Sequence, residues 1–118
     1  MNELESTLRY SELLSLYQNL LSTTQKEILE DYYLYNLSFS EIAENRHISR
    51  AAVEDAIKKG KNKLEMYEME ICSLKVLTEL RELKRKTTDK EFIKDIEEIE
   101  RILHHGIWVV EWKIIINI

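Results

Sequence analysis

An all-α fold is predicted by two features of this sequence. The chain of 118 residues contains no proline and only 2 glycines, so few residues interrupt a helix. Apolar residues also recur at three- and four-residue steps along most of the chain, which is the spacing of one helix face. Because 44% of the residues are hydrophobic, there are enough apolar side chains for a core. We expect a single helical domain over residues 1–106 and a hydrophobic tail over residues 107–118.

The first two helices follow from this period and from a capping signal. The first is predicted from about Glu3 to Leu21, with an apolar stripe of Leu4, Leu8, Leu13, Leu16, Tyr17, Leu20 and Leu21. Thr24 and Glu27 have the spacing of a capping box, so the second helix should begin there and continue to about Tyr35. Its predicted inward residues are Ile28, Leu29, Tyr32 and Tyr33.

Residues 38–64 predict a helix-turn-helix, and residues 64–105 a helical extension. Ser38 and Glu41 form a second capping box, which should start a helix running from about Phe39 to Asn45. The turn would be Arg46-His47-Ile48. His47 stands where a left-handed backbone is needed and where glycine is common, although histidine also tolerates this conformation. Ser49 would then cap the next helix.

Packing of the two helices of the motif requires a small residue and apolar anchors. Ala43 is the small residue, and the anchors are predicted to be Ile42, Ile48, Val53 and Ile57. The helical period continues past the motif, so one long helix is predicted from Arg50 to about Lys86. Gly60 would be a soft point, costing about 1 kcal/mol relative to alanine.

The last part of the chain changes character. Thr88 and Glu91 form a third predicted capping box, followed by a helix from about residue 89 to 104, with Phe92, Ile96, Ile99 and Leu103 on one face. Gly106 should end this helix. The tail IWVVEWKIIINI is β-branched and aromatic, which is typical of a strand or of an aggregation-prone segment that must be covered.

Charge is unevenly distributed along the chain, whose net charge is −5. Residues 40–64 carry six basic and four acidic side chains, whereas the segments before and after are net acidic. The net-positive segment coincides with the predicted helix-turn-helix, and this favours a nucleic-acid partner. Dedicated DNA-binding domains are usually far more basic, because phosphate neutralisation supplies much of their affinity.

The second helix of the motif would expose a charged face. If Val53 and Ile57 point inward, the outward residues are Ala51, Glu54, Asp55 and Lys58, flanked by Arg50 and Lys59. Arg50 suits guanine or phosphate, and Glu54 suits N4 of cytosine. The predicted contacts to the DNA backbone are Arg46, Lys58, Lys59, Lys61 and Lys63. Because two carboxylates on this face would repel phosphates, docking to a protein stays open beside DNA binding. Such docking would use the same head together with the apolar stripe of residues 64–86. The acidic residues that favour a basic partner are Glu54, Asp55, Glu65 and Glu68.

The motif carries a family resemblance. The residues concerned are Leu21 with Thr24 and Gln25, Tyr32-Tyr33, Ser40-Glu41-Ile42-Ala43-Glu44, Ile48-Ser49-Arg50, Ala52-Val53, Ile57-Lys58, and Leu64-Glu65 with Tyr67-Glu68. This pattern resembles the YlxM-like family of small bacterial proteins, which are similar in turn to region 4 of bacterial sigma factors. The resemblance covers about residues 8–75.

The resemblance implies a helix-turn-helix head followed by long C-terminal helices. It also implies a regulatory role, a link to the signal recognition particle pathway, and DNA or a component of that particle as partner. By position, the DNA-facing residues it implies are Ser49, Arg50, Ala51, Glu54, Asp55 and Lys58. Within the pattern, this chain has His47 at the turn glycine and Arg46 at the preceding apolar position.

Catalytic, metal-binding and nucleotide-binding sites find little support. His104 and His105 are adjacent, so their side chains would point about 100° apart on a helix and could not easily share a metal. Cys72 falls on an apolar stripe, and there is no glycine-rich phosphate loop. The tyrosines near residue 33 are better explained by core packing than by base stacking. We expect no enzyme activity, no metal and no cofactor.

Location and assembly are the remaining expectations. No apolar run approaches the roughly 18–20 residues that span a bilayer, and no secretory signal opens the chain. A single cysteine fits a reducing compartment, so we expect a cytoplasmic protein without membrane insertion. The long predicted helix needs another helix or another chain to cover its stripe, which leaves a homodimer open.

Overall fold

The computed structural model describes residues 1–105, of which His105 is described only in its backbone, and every regular element in this range is helical. The elements are α1 (Glu3–Tyr17), a 3₁₀ turn (Gln18–Leu20), α2 (Thr23–Tyr33), α3 (Phe39–Arg46), α4 (Arg50–Ile71), α5 (Ser73–Arg85) and α6 (Lys90–His105). The all-α prediction is confirmed. The cap predicted at Gly106 and the strand predicted in the tail lie outside the described residues.

The chain divides into two compact units, Met1–Ile71 and a second that begins at Cys72. In the first unit, α4 packs against each of α1, α2 and α3. Its buried positions Val53, Ile57, Gly60 and Leu64 follow the three- and four-residue spacing of one helix face. The single domain expected over residues 1–106 stays a prediction.

Helix α1 contributes only its second half to the core. Leu13, Leu14 and Tyr17 are buried, but Leu4 and Leu8, which belong to the predicted stripe, are exposed by 68% and 58%. The stripe also included Leu20, which is exposed and lies in the 3₁₀ turn, not in the helix. The predicted stripe is confirmed at Leu13 and Tyr17 and wrong at Leu4, Leu8 and Leu20. It also omits Leu14, which is buried.

Polar contacts connect α1 to the end of α4. The Arg9 guanidinium donates two hydrogen bonds to the Glu65 carboxylate, at 2.7 and 2.8 Å. The Tyr17 hydroxyl donates to Glu68 at 2.6 Å. The hydrogen bond from Arg9 is the main reason why the pKa of Glu65 is lowered, so the pair contributes stability above the ordinary pKa of glutamate and loses it as the pH falls through the lowered value.

One of the three predicted capping boxes is confirmed. Ser38 Oγ accepts the Glu41 amide, and the Glu41 carboxylate accepts the Ser38 amide, which lowers the pKa of Glu41. The box of Thr24 and Glu27 is wrong: Ser22 caps α2 by accepting the amide of Gln25 at 3.2 Å. The Glu27 carboxylate bonds instead to α3.

The third capping box, which paired Thr88 with Glu91, is also wrong. The Asp89 carboxylate accepts the amides of Glu91 and Phe92, so α6 begins at Lys90 with an aspartate cap. Aspartate is as good a cap as serine or threonine, and its carboxylate suits the positive end of a helix.

Gly60 is a packing residue and not the predicted soft point. Helix α4 continues through it, and the glycine is buried against Leu29 of α2. A Cβ atom built at Gly60 would lie 2.7 Å from Cδ1 of Leu29, closer than carbon atoms can approach. The absence of a side chain therefore lets α2 and α4 come together.

The long helix predicted from Arg50 to Lys86 is interrupted at Cys72. This residue has φ 62° and ψ 24°, a left-handed backbone that ends α4 and precedes α5. The apolar period continues on both sides of the break, so periodicity alone could not reveal it. A left-handed conformation costs an L-residue roughly 1–2 kcal/mol.

In the second unit, α5 and α6 are joined by residues 86–89 and pack against each other. Leu74, Leu77 and Ile96 are buried, and Lys84 forms an ion pair with Glu100 at 2.6 Å. Phe92 and Ile99, expected on the inward face of α6, are each 45% exposed. Within residues 1–105, no helix combines the length and the apolar character that crossing a bilayer requires.

Substitution of Gly60 by alanine tests the close approach of α2 and α4. Helix propensity alone would stabilise this variant by about 1 kcal/mol, but overpacking against Leu29 costs about 1–3 kcal/mol. We expect Gly60→Ala to lower the free energy of unfolding by about 1 kcal/mol in urea titrations. The exposed neighbour Asn62 is the control, since Asn62→Ala should be neutral or stabilising. A stabilised Gly60→Ala would contradict the packing role.

Substitution of Cys72 by glycine tests the helix break. If Cys72 is left-handed, Cys72→Gly removes backbone strain and should raise the free energy of unfolding by about 0.5–1 kcal/mol. If the helix were continuous, the same change would destabilise it by about 1 kcal/mol. Cys72→Ala, which loses the thiol without relieving the strain, is the control for the sign of the effect.

Candidate nucleic-acid interface

A tight three-residue turn joins α3 to α4. His47 has φ 56° and ψ 42°, so the predicted left-handed residue is confirmed. The Ile48 amide donates to the Ala43 carbonyl at 3.1 Å, which closes the end of α3. Ser49 Oγ accepts the Ala52 amide at 3.0 Å, so the predicted cap of α4 is also confirmed. The two helices thus form a helix-turn-helix.

The anchors of the motif are mostly as predicted. Ile42 and Val53 are fully buried, and Ile57 is 4% exposed. Ala43 is buried beside them and allows α3 and α4 to approach. Ile48 was expected to join this cluster but is 37% exposed, because it lies in the turn and not on the inner face of either helix.

The front of α4 leaves one side exposed. Arg50, Ala51, Glu54, Asp55, Lys58 and Lys59 are all exposed, and so is Ser49 in the turn. These positions are one, three or four residues apart, so they form a continuous surface on the side opposite Val53 and Ile57. We call this surface the α4 face. Three of the predicted DNA contacts lie outside the α4 face: Arg46, Lys61 and Lys63.

Arg46 bonds to α2 instead of extending into solvent. Its Nε donates to Asp31 at 2.7 Å and its Nη1 donates to Glu27 at 2.9 Å. The hydrogen bond to Asp31 is the main cause of a raised pKa for Arg46. Two carboxylates therefore compensate this charge, and the guanidinium connects the end of α3 to α2.

The two carboxylates of the α4 face each have a basic neighbour one helical turn away. Arg50 Nε lies 3.6 Å from Glu54, and Lys59 Nζ lies 2.9 Å from Asp55. Exposed pairs of this kind contribute little to stability, and they separate at little cost when a ligand competes. Their effect on the site is to reduce its net field, because two of its three basic side chains are partly neutralised.

Two lysines keep their charge uncompensated on this part of α4. Lys58 and Lys63 are exposed, and neither has a carboxylate within ion-pair distance among residues 1–105. Lys61 instead lies 4.8 Å above the ring of Tyr10. Lys58 is therefore the strongest candidate for a phosphate contact on the α4 face.

The Arg50 guanidinium lies beside one end of a row of aromatic rings. The Arg50 guanidinium carbon lies 5.9 Å from the centre of the Phe39 ring. Phe39 stacks on Tyr32 at 5.0 Å, Tyr32 meets Tyr33 edge-on at 4.9 Å, and Tyr33 stacks on Tyr10 at 5.5 Å. Burial raises the pKa of the Tyr33 hydroxyl. Tyr32 and Tyr33 pack against neighbouring rings, as core packing predicts, whereas Tyr35, the third tyrosine of this cluster, is 65% exposed.

Comparison with known proteins places this geometry in context. Residues 4–103 match a family model described as "UPF0122: Putative helix-turn-helix protein, YlxM / p13 like". UPF0122 protein YlxM of Bacillus subtilis is 40% identical over 99 residues, covering 84% of this chain and 88% of the relative. UPF0122 protein MYPE4850 of Malacoplasma penetrans is 37% identical over 100 residues, covering 85% of this chain and 92% of the relative.

Proposed function

Because the chain belongs to the UPF0122 family of YlxM/p13-like helix-turn-helix proteins, we propose that it binds DNA through the α4 face and acts as a regulatory protein. The observation that carries the proposal is the exposed, partly basic front of α4 directly after a tight turn. In helix-turn-helix proteins the second helix enters the major groove with its N-terminal residues against the bases.

In this proposal, each of these residues of the α4 face has a role in DNA binding. Arg50, at the first turn of α4, would read guanine, and Glu54, one turn later, would accept from cytosine N4. Lys58 and Lys59 would contact phosphates, and the Ser49 hydroxyl would donate to one. Ala51 is small enough for close approach to a base, such as the methyl group of thymine.

Asp55 and Arg46 have supporting parts in this proposal. Asp55 holds Lys59 at the edge of the face through their ion pair. Arg46 uses Nε and Nη1 for Asp31 and Glu27, so a phosphate contact from it would fall to Nη2. We expect its larger contribution to be positional, because it fixes the end of α3 on which the turn depends.

Few uncompensated cations imply weak, modestly salt-dependent binding. Each neutralised phosphate contributes about −0.9 to the slope of log K against log salt. Phosphate contacts from Lys58 and Lys59 would give a slope of roughly −2, which is shallow for a DNA-binding protein. Specificity must then come from the Arg50 and Glu54 contacts more than from the overall field.

Binding to labelled genomic fragments at about 50 and 200 mM salt tests this function. We expect Lys58→Ala to weaken binding to all fragments and to reduce the salt slope by about 1. Arg50→Ala should cost about 1–3 kcal/mol, roughly five- to 150-fold in affinity, on the preferred fragment and less on the others. Fluorescence anisotropy measures both effects.

The control for these variants is Lys94→Ala, which removes an exposed lysine from α6 in the second unit. It should leave both affinity and slope unchanged. Absence of binding at the lower salt concentration would contradict the proposal, as would Arg50→Ala and Lys58→Ala variants that behave like Lys94→Ala.

A second candidate function is favoured by the acidic residues of the same face. Glu54 and Asp55 keep 50% and 59% of their side chains exposed, which suits a basic protein surface better than a phosphate backbone. The partner implied by the family resemblance is a basic component of the signal recognition particle. We expect such a partner to copurify after nuclease treatment and to be lost on Glu54→Lys. If nuclease releases it, the contact runs through nucleic acid.

A further inference from the structure

The hairpin of α5 and α6 exposes four large apolar side chains in a regular pattern. Val76 and Leu83 on α5 are 43% and 44% exposed, and Phe92 and Ile99 on α6 are each 45% exposed. The members of each pair are seven residues apart, which is two turns of a helix, so each pair lies on one side of its helix. We call these four residues the exposed stripe.

Both pairs lie on the same side of the hairpin. Four residues after the first member of each pair comes a more buried residue, Leu80 or Ile96. Each helix therefore presents its buried and exposed apolar residues in the same order across its surface. On each helix, the exposed pair is displaced from the buried residues in the same rotational sense about the helix axis. Because the two helices of such a hairpin run in opposite directions, this places both exposed pairs on one side of the hairpin. The four exposed side chains therefore lie on one side of the hairpin and form its apolar surface.

A row of carboxylates borders this surface along α6. Glu91, Asp95 and Glu98 are exposed and spaced by four and three residues, and Asp95 stands three residues after Phe92 and four before Ile99. Glu98 pairs with Arg101, whereas Glu91 and Asp95 have no ion-pair partner within residues 1–105. The border along α5 alternates in sign, with Lys75, Glu79 and Lys86.

From this surface we infer a docking site for an amphipathic helix of a basic partner protein, whose apolar face covers the exposed stripe and whose lysines or arginines meet the carboxylate row of α6. A third helix laid in the groove between two others is a common mode of recognition, and its anchors recur at three-, four- and seven-residue steps. A second copy of this chain fits less well. Its hairpin would place opposite the carboxylate row of α6 either the same carboxylates or the α5 border, whose charges alternate in sign. The inference does not depend on DNA binding by the α4 face.

The test uses the full chain and two labelled synthetic helices. Both carry leucines at heptad a and d positions, and they differ only in lysine or glutamate along one edge. We expect the lysine helix to bind at least tenfold more tightly by fluorescence anisotropy, with a preference that shrinks as salt is raised. The double variant Leu83→Gln/Phe92→Gln should lose at least tenfold in affinity for the lysine helix.

A second pair of variants separates charge from apolar contact. Glu91→Gln/Asp95→Asn should reduce the preference for lysine over glutamate several-fold, while retaining the affinity for the glutamate helix. The matched control is Glu97→Gln, which removes an exposed carboxylate from the other side of α6. All the changed side chains are exposed, and circular dichroism of each variant verifies that the helices remain.

Three outcomes would overturn the inference. Equal affinity for the two helices, or a Glu91→Gln/Asp95→Asn variant that behaves like Glu97→Gln, would remove the charge selection. If the molar mass in solution corresponds to two chains, and falls to that of one chain in the Leu83→Gln/Phe92→Gln variant, the occupant is a second copy. A red shift of tryptophan emission in that variant would make residues 106–118 the occupant, because the 2 tryptophans, Trp108 and Trp112, both lie there.

Discussion

The buried side of α4 is the constraint on which the first unit depends. Val53, Ile57, Gly60 and Leu64 lie on this side, and α1, α2 and α3 all pack against the same helix. The missing side chain at Gly60 brings the backbone of α4 against Leu29 and so allows α2 to lie close to α4. Burial of apolar surface is the main favourable contribution to such an arrangement.

The same helix has two opposite roles because it has two opposite sides. Its inner side holds the core, while its outer side at the front carries Arg50, Glu54 and Lys58 in solvent. A rigid inner side keeps the outer side chains in fixed relative positions, which is what a recognition surface needs. The ion pairs of Arg50 and Lys59 with their own carboxylates reduce the net positive field of this surface.

Much of the helix-turn-helix could be predicted from the sequence, because its determinants are local. The box of Ser38 and Glu41, the left-handed His47 and the cap at Ser49 each involve residues within a few positions of one another. The box of Thr24 and Glu27 failed because Ser22 is an equally good cap, and because Glu27 has a partner 19 residues away in Arg46. No short-range pattern indicates that a charged residue is engaged by another helix.

The break at Cys72 and the partial exposure of α1 were missed for a related reason. Apolar periodicity indicates which side of a helix is apolar, but it does not indicate where a second helix packs against that side. Leu4 and Leu8 keep the period and still face solvent. Cysteine has no particular preference for a left-handed backbone, so nothing in its identity marks the end of α4.

The row of rings from Phe39 to Tyr10 has a consequence for the position of the Arg50 guanidinium. Its two ends lie beside cations of the same helix, Arg50 and Lys61, while its middle belongs to α2 and its far end to α1. Rotation of any one ring disturbs the neighbour on which it rests, so the guanidinium at the front of α4 inherits its order from aromatic residues of three other helices. The position of the exposed Arg50 guanidinium thus depends on how these rings pack.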